Sequence, residues 1–258
     1  MSWFATAVRT GARQMYASWP ALVVSAFFYL VVVTAVTTLW RAGAAANDGH
    51  VAGYTATMLT WYLATSEASI LGLSFRMIEE VGDDIASGSV ATELLRPVSV
   101  LGIRIATEIG RAVARLSVLV PAGAALCLVT VGPPPHPAGL LLAVPAVLLA
   151  LTTNMLLQHA VAGMSFWIRD ARSGWFLYQK LVFILGGMLV PLEVLPAALR
   201  HVAEVLPFAA VAYVPARLAS GHVEPELLAV QLGWSVVTGV VASLVFAAGE
   251  RRLQVVGG

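Results

Sequence analysis

Residues 20–40 read PALVVSAFFYLVVVTAVTTLW, and that run decides what kind of protein this is. It holds no charged residue, and eleven of its side chains are Leu, Val or Phe. On an insertion scale those eleven contribute about −0.3 to −0.6 kcal/mol each, roughly −3 to −7 kcal/mol together. A bilayer core about 30 Å thick needs roughly 20 helical residues to cross it, so the run is a transmembrane helix. Working outward, five more segments of this kind appear at 54–75, 105–131, 138–168, 176–195 and 227–248. The expected fold is an all-α membrane protein with six transmembrane helices. In the third segment charges come first, so its embedded part is expected from near Leu116, with a kink at Pro121.

Composition agrees. Of 258 residues, 59% are hydrophobic and 11% charged, and mean hydropathy is +0.84. Soluble domains carry about 25% charged residues, so a soluble enzyme and a disordered chain are excluded. A single cysteine, Cys127, excludes a disulfide scaffold, and a net charge of +1 gives nucleic acid no footing. Of the 15 basic residues, only Arg41, Arg200 and Arg217 fall on the side opposite the termini. That asymmetry places both termini in the cytoplasm. Before the first span, Trp3, Phe4, Ala7, Val8, Gly11 and Met15 recur at helical spacing, with Arg9 and Arg13 on the other face. Residues 1–19 therefore read as an amphipathic helix in the cytoplasmic interface; the alternative is an extension of the first span.

The loop at 76–104 reads RMIEEVGDDIASGSVATELLRPVSVLGIR. Met77, Ile78, Val81 and Ile85 make one helical stripe, with Glu79, Glu80, Asp83 and Asp84 facing away. Ser87-Gly88 interrupts it, and a second stripe of Val90, Ala91, Leu94 and Leu95 ends at Arg96-Pro97. Four acids are disfavoured against an anionic leaflet, so a partner-docking element is expected rather than a loop lying on headgroups. On the outer side, Pro191, Pro196, Pro207 and Pro215 cut up residues 191–221. The piece at 197–206 spans roughly 15 Å as helix, too short to cross, yet apolar enough to dip into the outer leaflet against protein.

Polar groups inside the spans are few. Glu67 costs roughly 2.5–3.5 kcal/mol there and should face protein or water. With Asn154, Gln158 and His159 it forms a candidate substrate pathway; the alternative for all four is interhelical hydrogen bonding. Arg104, Glu108, Arg111 and Arg115 are spaced to pair along one helix face and to anchor on headgroups. Gly186-Gly187 allows a bend or a close helix approach. His159 lacks a second ligand at helical spacing, so no metal site is expected. The only lysine, Lys180, follows Tyr178-Gln179 rather than a glycine loop, and no HExxH or GxSxG pattern occurs. With no catalytic constellation, energy for any transport must come from another subunit or a gradient.

The stretch Asp84-Ile85-Ala86-Ser87-Gly88-Ser89-Val90, followed by Leu94-Leu95-Arg96-Pro97-Val98, resembles the cytoplasmic loop of ABC-2 type transporter permeases of the short bacterial branch. The run from Gly186-Gly187-Met188 through Leu195-Pro196 to Leu206-Pro207-Phe208, and the end from Arg251-Arg252-Leu253 to Gly257-Gly258, are similar to that family too. The resemblance implies a non-catalytic permease subunit of a bacterial inner-membrane ABC exporter, moving a hydrophobic or amphipathic substrate by alternating access. It implies two separate ATPase subunits that bind ATP and Mg, and a second permease, either this chain again or a paralogue. The chain itself would hold no cofactor. The coupling segment would comprise Glu79, Glu80, Asp83, Asp84, Ile85, Ser87, Gly88, Val90, Leu94, Leu95 and Arg96. Gly186 and Gly187 would lie near the permease–permease interface, and 191–221 would hold a re-entrant hairpin. The competing readings are a gradient-driven secondary transporter, for which paired intramembrane acids are wanted and only Glu67 is found, and a non-catalytic membrane scaffold.

Overall fold

The computed structural model describes residues 3–74, 77–89, 99–168 and 171–256. Helices α1 (Trp3–Ala17) and α2 (Trp19–Ala45) are separated only by Ser18. Pro20 sits in the first turn of α2, where a missing N–H costs no hydrogen bond. A hairpin, β1 (His50–Val51) antiparallel to β2 (Tyr54–Thr55), leads into α3 (Ala56–Leu71). Thr55 Oγ1 caps that helix by accepting from Met58 N at 3.3 Å. There follow α4 (Met77–Ala86), α5 (Val100–Thr130), α6 (Pro137–Gly163) and α7 (Ala171–Leu185). Three short helices, α8 (Ala197–Glu204), α9 (Phe208–Val211) and α10 (Tyr213–Ala219), precede the long α11 (Glu226–Val256).

Among the described residues four helices are long and apolar enough to cross a bilayer: Trp19–Ala45, Leu101–Thr130, Pro137–Phe166 and Glu226–Arg252. The second and fifth expected segments are shorter than their apolar runs. α3 has 16 residues and α7 has 15, about 24 and 22 Å of helix. Residues 54–55 are spent on the hairpin, and α3 ends with Gly72 N bonded to Ala68 O. α7 begins at Ala171 rather than 176 and stops well before 195. Gly187 takes φ +66°, a left-handed conformation that side chains resist, and the chain turns there.

α3 lies inside the protein, in contact with α2, α5 and α10. Its side chains satisfy carbonyls that the end of α7 releases: Tyr62 Oη donates to Gly187 O at 2.5 Å and Ser66 Oγ to Met188 O at 2.6 Å. Trp40 Nε1 of α2 takes Leu189 O at 3.3 Å. Such pairing is what permits irregular backbone beside apolar helices. In residues 191–221, α9 and α10 pack among the long helices, against α3 and α6, and 197–206 joins the same apolar cluster through buried Ala203 and half-buried Leu199 and Leu206. Gln231 Nε2 of α11 donates to Ala146 O at 2.8 Å and to Ala210 O at 2.7 Å, stitching α6, α9 and α11 together. The other face of α8 leaves Val202 exposed, as is Val205 just after the helix, and Arg200 pairs with Glu204 at 2.7 Å.

α1 turns Gly11 and Met15 into α5 and leaves Trp3, Phe4 and Tyr16 half exposed. Its apolar stripe is therefore divided between protein contact and an outward aromatic edge.

Candidate functional site

The buried face of α4 is the stripe read from the sequence. Met77, Ile78, Val81 and Ile85 are 2%, 0%, 3% and 4% exposed. They join Met155 and Ala162 of α6, Tyr178 of α7 and Phe246 of α11 in one apolar cluster. Each such burial is worth about 1.5–3 kcal/mol relative to exposure, enough to hold α4 as a rigid piece. Glu80 and Asp83 remain exposed on the other side. The helix stops with Ser87 N bonded to Asp83 O at 2.9 Å and Gly88 at φ +78°. Val90, Leu94, Leu95 and Arg96 lie outside the described residues.

The basic residues of α5 tie that helix to its neighbours rather than pairing only along it. Arg104 Nη2 meets Asp84 Oδ2 of α4 at 2.8 Å. Arg111 pairs with Glu108 and also donates to Gln14 Oε1 of α1 at 3.0 Å. Arg115 Nη1 reaches Gly72 O, at the end of α3, at 3.4 Å. Asp84, expected to face away, is thus engaged with α5. His159 is fully buried, with Nδ1 2.8 Å from Met155 O. A carbonyl only accepts, so that nitrogen carries the proton. His159 lines a cavity of about 250 Å³ with Glu80, Asp84, Arg104, Glu108 and Arg111, which places it beside α4 and the first half of α5.

Asn154 and Gln158 sit elsewhere. Tyr178 Oη of α7 donates to Asn154 Oδ1 at 2.5 Å, and Gln158 Nε2 donates to the same oxygen at 3.0 Å. Gln158 Oε1 has no partner among the described residues. Both residues line a second cavity, also about 250 Å³, between α3, α6 and α7, with Ile70, Leu73, Trp175 and Lys180 in its wall. Glu67 is 4% exposed and does not line that cavity, so the four polar candidates divide among three places. Gly186 and Gly187 are buried within the chain. A methyl group on Gly187 would come within 2.9 Å of Tyr62 Oη, and one on Gly186 within 3.2 Å of Phe208 O. Both glycines are thus tightly packed within the chain.

Sequence reasoning missed Tyr178 and Lys180 as cavity residues, because nothing in their spacing to Asn154 reports the α6–α7 contact. It also missed a cluster centred on Arg217. Its Nε and Nη2 donate to the two oxygens of Glu224 at 2.8 and 2.7 Å, and its Nη1 meets Tyr54 Oη at 2.9 Å and pairs with Glu193. Tyr213 Oη donates to Glu193 Oε1 at 2.6 Å. The Arg217 hydrogen bond holds the Glu224 carboxyl below its usual range, against the opposing effect of burial. Burial, and then the Arg217 charge, push the His222 imidazole below its ordinary value. Among the described residues no His, Cys, Asp and Glu side chains cluster as metal ligands would.

A comparison with curated proteins returns no match. A sequence model described as ABC-2 family transporter protein matches residues 31–257. The matched region starts within α2 and runs through α4, both cavities and the packed segment of α8 to α10. By that coverage the chain belongs to the ABC-2 transporter family, as a multi-pass membrane permease whose membership implies an ATPase partner.

Proposed function

We propose that this chain is the membrane subunit of an ATP-driven exporter in the bacterial cytoplasmic membrane. It has six crossings, with α3 and α7 as the two short ones, and both termini lie in the cytoplasm. Two separate ATPase subunits bind ATP and Mg, and grip α4 and the residues after it. A second permease, a copy or a paralogue, completes the membrane unit. One observation carries this reading: α4 sets its apolar face among α6, α7 and α11 while Glu80 and Asp83 stay exposed. A push on that exposed face moves the helices that wall the α3–α6–α7 cavity, as rigid-body switching requires. The cavity, apolar with a few amide and hydroxyl groups, suits a hydrophobic or amphipathic cargo.

Purification in mild detergent tests the docking. The ATPase should accompany the wild-type chain and be lost from a folded Glu80→Lys, Asp83→Lys double variant. Asp84 is the poorer probe, because reversing it also breaks the Arg104 pair. Full retention of the ATPase by the double variant would rule out α4 as the dock.

A further inference from the structure

We infer that the cavity between α3, α6 and α7 takes an anionic amphiphile, its acidic group held by Lys180 and a hydrogen-bond donor by Gln158 Oε1. This deepens the permease reading and rests on it. Lys180 stands about 14 Å along α7 from its first residue, among the exposed apolar side chains Phe176, Phe183 and Ile184. Its ammonium lies 5.2 Å from the Phe176 ring centroid, and no carboxylate lies within 4.0 Å of it among the described residues. A cation–π contact returns only part of what an apolar setting takes from an ammonium. Lys180 is also the only charged residue among those described in the cavity wall, so among the described residues the wall carries a positive charge with no acidic partner in it.

Gln158 supplies the second handle. Asn154 Oδ1 already accepts from both Tyr178 and Gln158, whereas Gln158 Oε1 has no donor among the described residues. A buried amide oxygen left so is costly until a hydroxyl or N–H reaches it. Ile70, Leu73 and Met188 give the hydrocarbon part its wall. Had Glu67 lined the cavity, a cationic cargo would have been favoured; it does not line it.

The test uses the full chain in phosphatidylcholine nanodiscs with diazirine-tailed dodecanoic acid and the matched dodecylamine, mapping photolabelled peptides by mass spectrometry. The acid should label α3, α6 and α7 peptides at lower concentration than the amine. Lys180→Gln should weaken acid labelling about five-fold, as loss of a partly screened ion pair does, and Lys180→Arg should keep it. Gln158→Leu should abolish the advantage of the 3-hydroxy acid over the plain acid. Equal labelling by the amine, or unchanged labelling of Lys180→Gln, overturns the assignment. Repeating the experiment with phosphatidylglycerol in the disc separates sources: suppression assigns the site to a leaflet lipid, persistence to free cargo, and both support an anionic amphiphile. ATPase co-purification is scored in parallel, so loss of the ATPase counts against the permease reading and loss of selective labelling against this inference.

Discussion

A methyl group on Gly11 would lie 2.0 Å from the carbonyl oxygen of Thr107, so the backbones of α1 and α5 touch. The contact is reciprocal, since a methyl on Gly110 would lie 1.9 Å from Val8 O. Tyr16 Oη and Ser117 Oγ, 2.9 Å apart, and the Arg111–Gln14 bond extend the seam. α1 is therefore clamped to the half of α5 that also carries Arg104, the partner of α4. The amphipathic N-terminus and α4 share one support.

That seam has a direct test. Gly110→Val forces the helices apart, since its neighbours are backbone atoms with nowhere to retreat. Overpacking of this kind costs about 1–3 kcal/mol, a fall in melting temperature on the order of 2–10 °C for a chain of this size. Arg13→Ala, on the exposed side of α1, should melt like wild type. Thermal unfolding in detergent measures both, and a wild-type melt for Gly110→Val would mean that α1 does not pack there.

The Arg104–Asp84 pair predicts a rescue. Asp84 is 44% exposed and Arg104 is 16% exposed at the side chain, so the pair contributes only about 0.2–1 kcal/mol to stability. Its importance lies in angle: it fixes how α4 sits on α5. Asp84→Arg or Arg104→Asp alone should lower ATP-driven transport several-fold with little change in melting temperature, and the double swap should recover most of it. Single variants that transport normally would show that the pair sets no geometry that transport uses.

How much of this was readable beforehand depended on distance along the chain. Met77, Ile78, Val81 and Ile85 were legible as a buried stripe because helical period is a local property. Arg104 was legible as a cation but not as the partner of Asp84, twenty residues back. Glu67, Asn154, Gln158 and His159 share polarity, and polarity alone grouped them; the rotation of α6 sends His159 to one cavity and Asn154 to another. The long α2, α6 and α11 follow from extended apolar runs, and α5 from a charged helical section that leads into one. The ends of α3 and α7 do not, because Gly72, Gly187 and the hairpin stop those helices inside apolar sequence.

Asn154 joins α6 to α7 through one oxygen, which makes the energy of that join measurable. Tyr178→Phe removes one donor and should cost about 1 kcal/mol, whereas Asn154→Leu strands both the Tyr178 hydroxyl and the Gln158 amide and should cost about 1–3 kcal/mol. A double-mutant cycle on melting in detergent should give a coupling of about 0.6–1.7 kcal/mol, the range for hydrogen bonds between membrane helices. Zero coupling would mean that the two side chains do not share a bond.

The Arg217 cluster predicts a pH response of fixed sign. Arg217 depresses the Glu224 carboxyl through their hydrogen bond, so that contribution to stability is complete above the ordinary value near 4.5 and lost as pH falls through the lowered one. His222 is depressed by burial first and by the Arg217 charge second. The fold therefore favours neutral His222, and its contribution is complete above about 6.5 and lost on acidification below that. Both contributions have the same direction, so the C-terminal end of α10 should loosen in two steps as the solution is acidified. Fluorescence melts of the full chain from neutral pH to about 4 should show the decline. Arg217→Gln should flatten the lower step and shrink the upper one, since Arg217 acts on both groups, while His222→Gln should remove the upper step alone. A melting temperature in Arg217→Gln that falls with acid as steeply as in wild type would place the sensitivity outside this cluster.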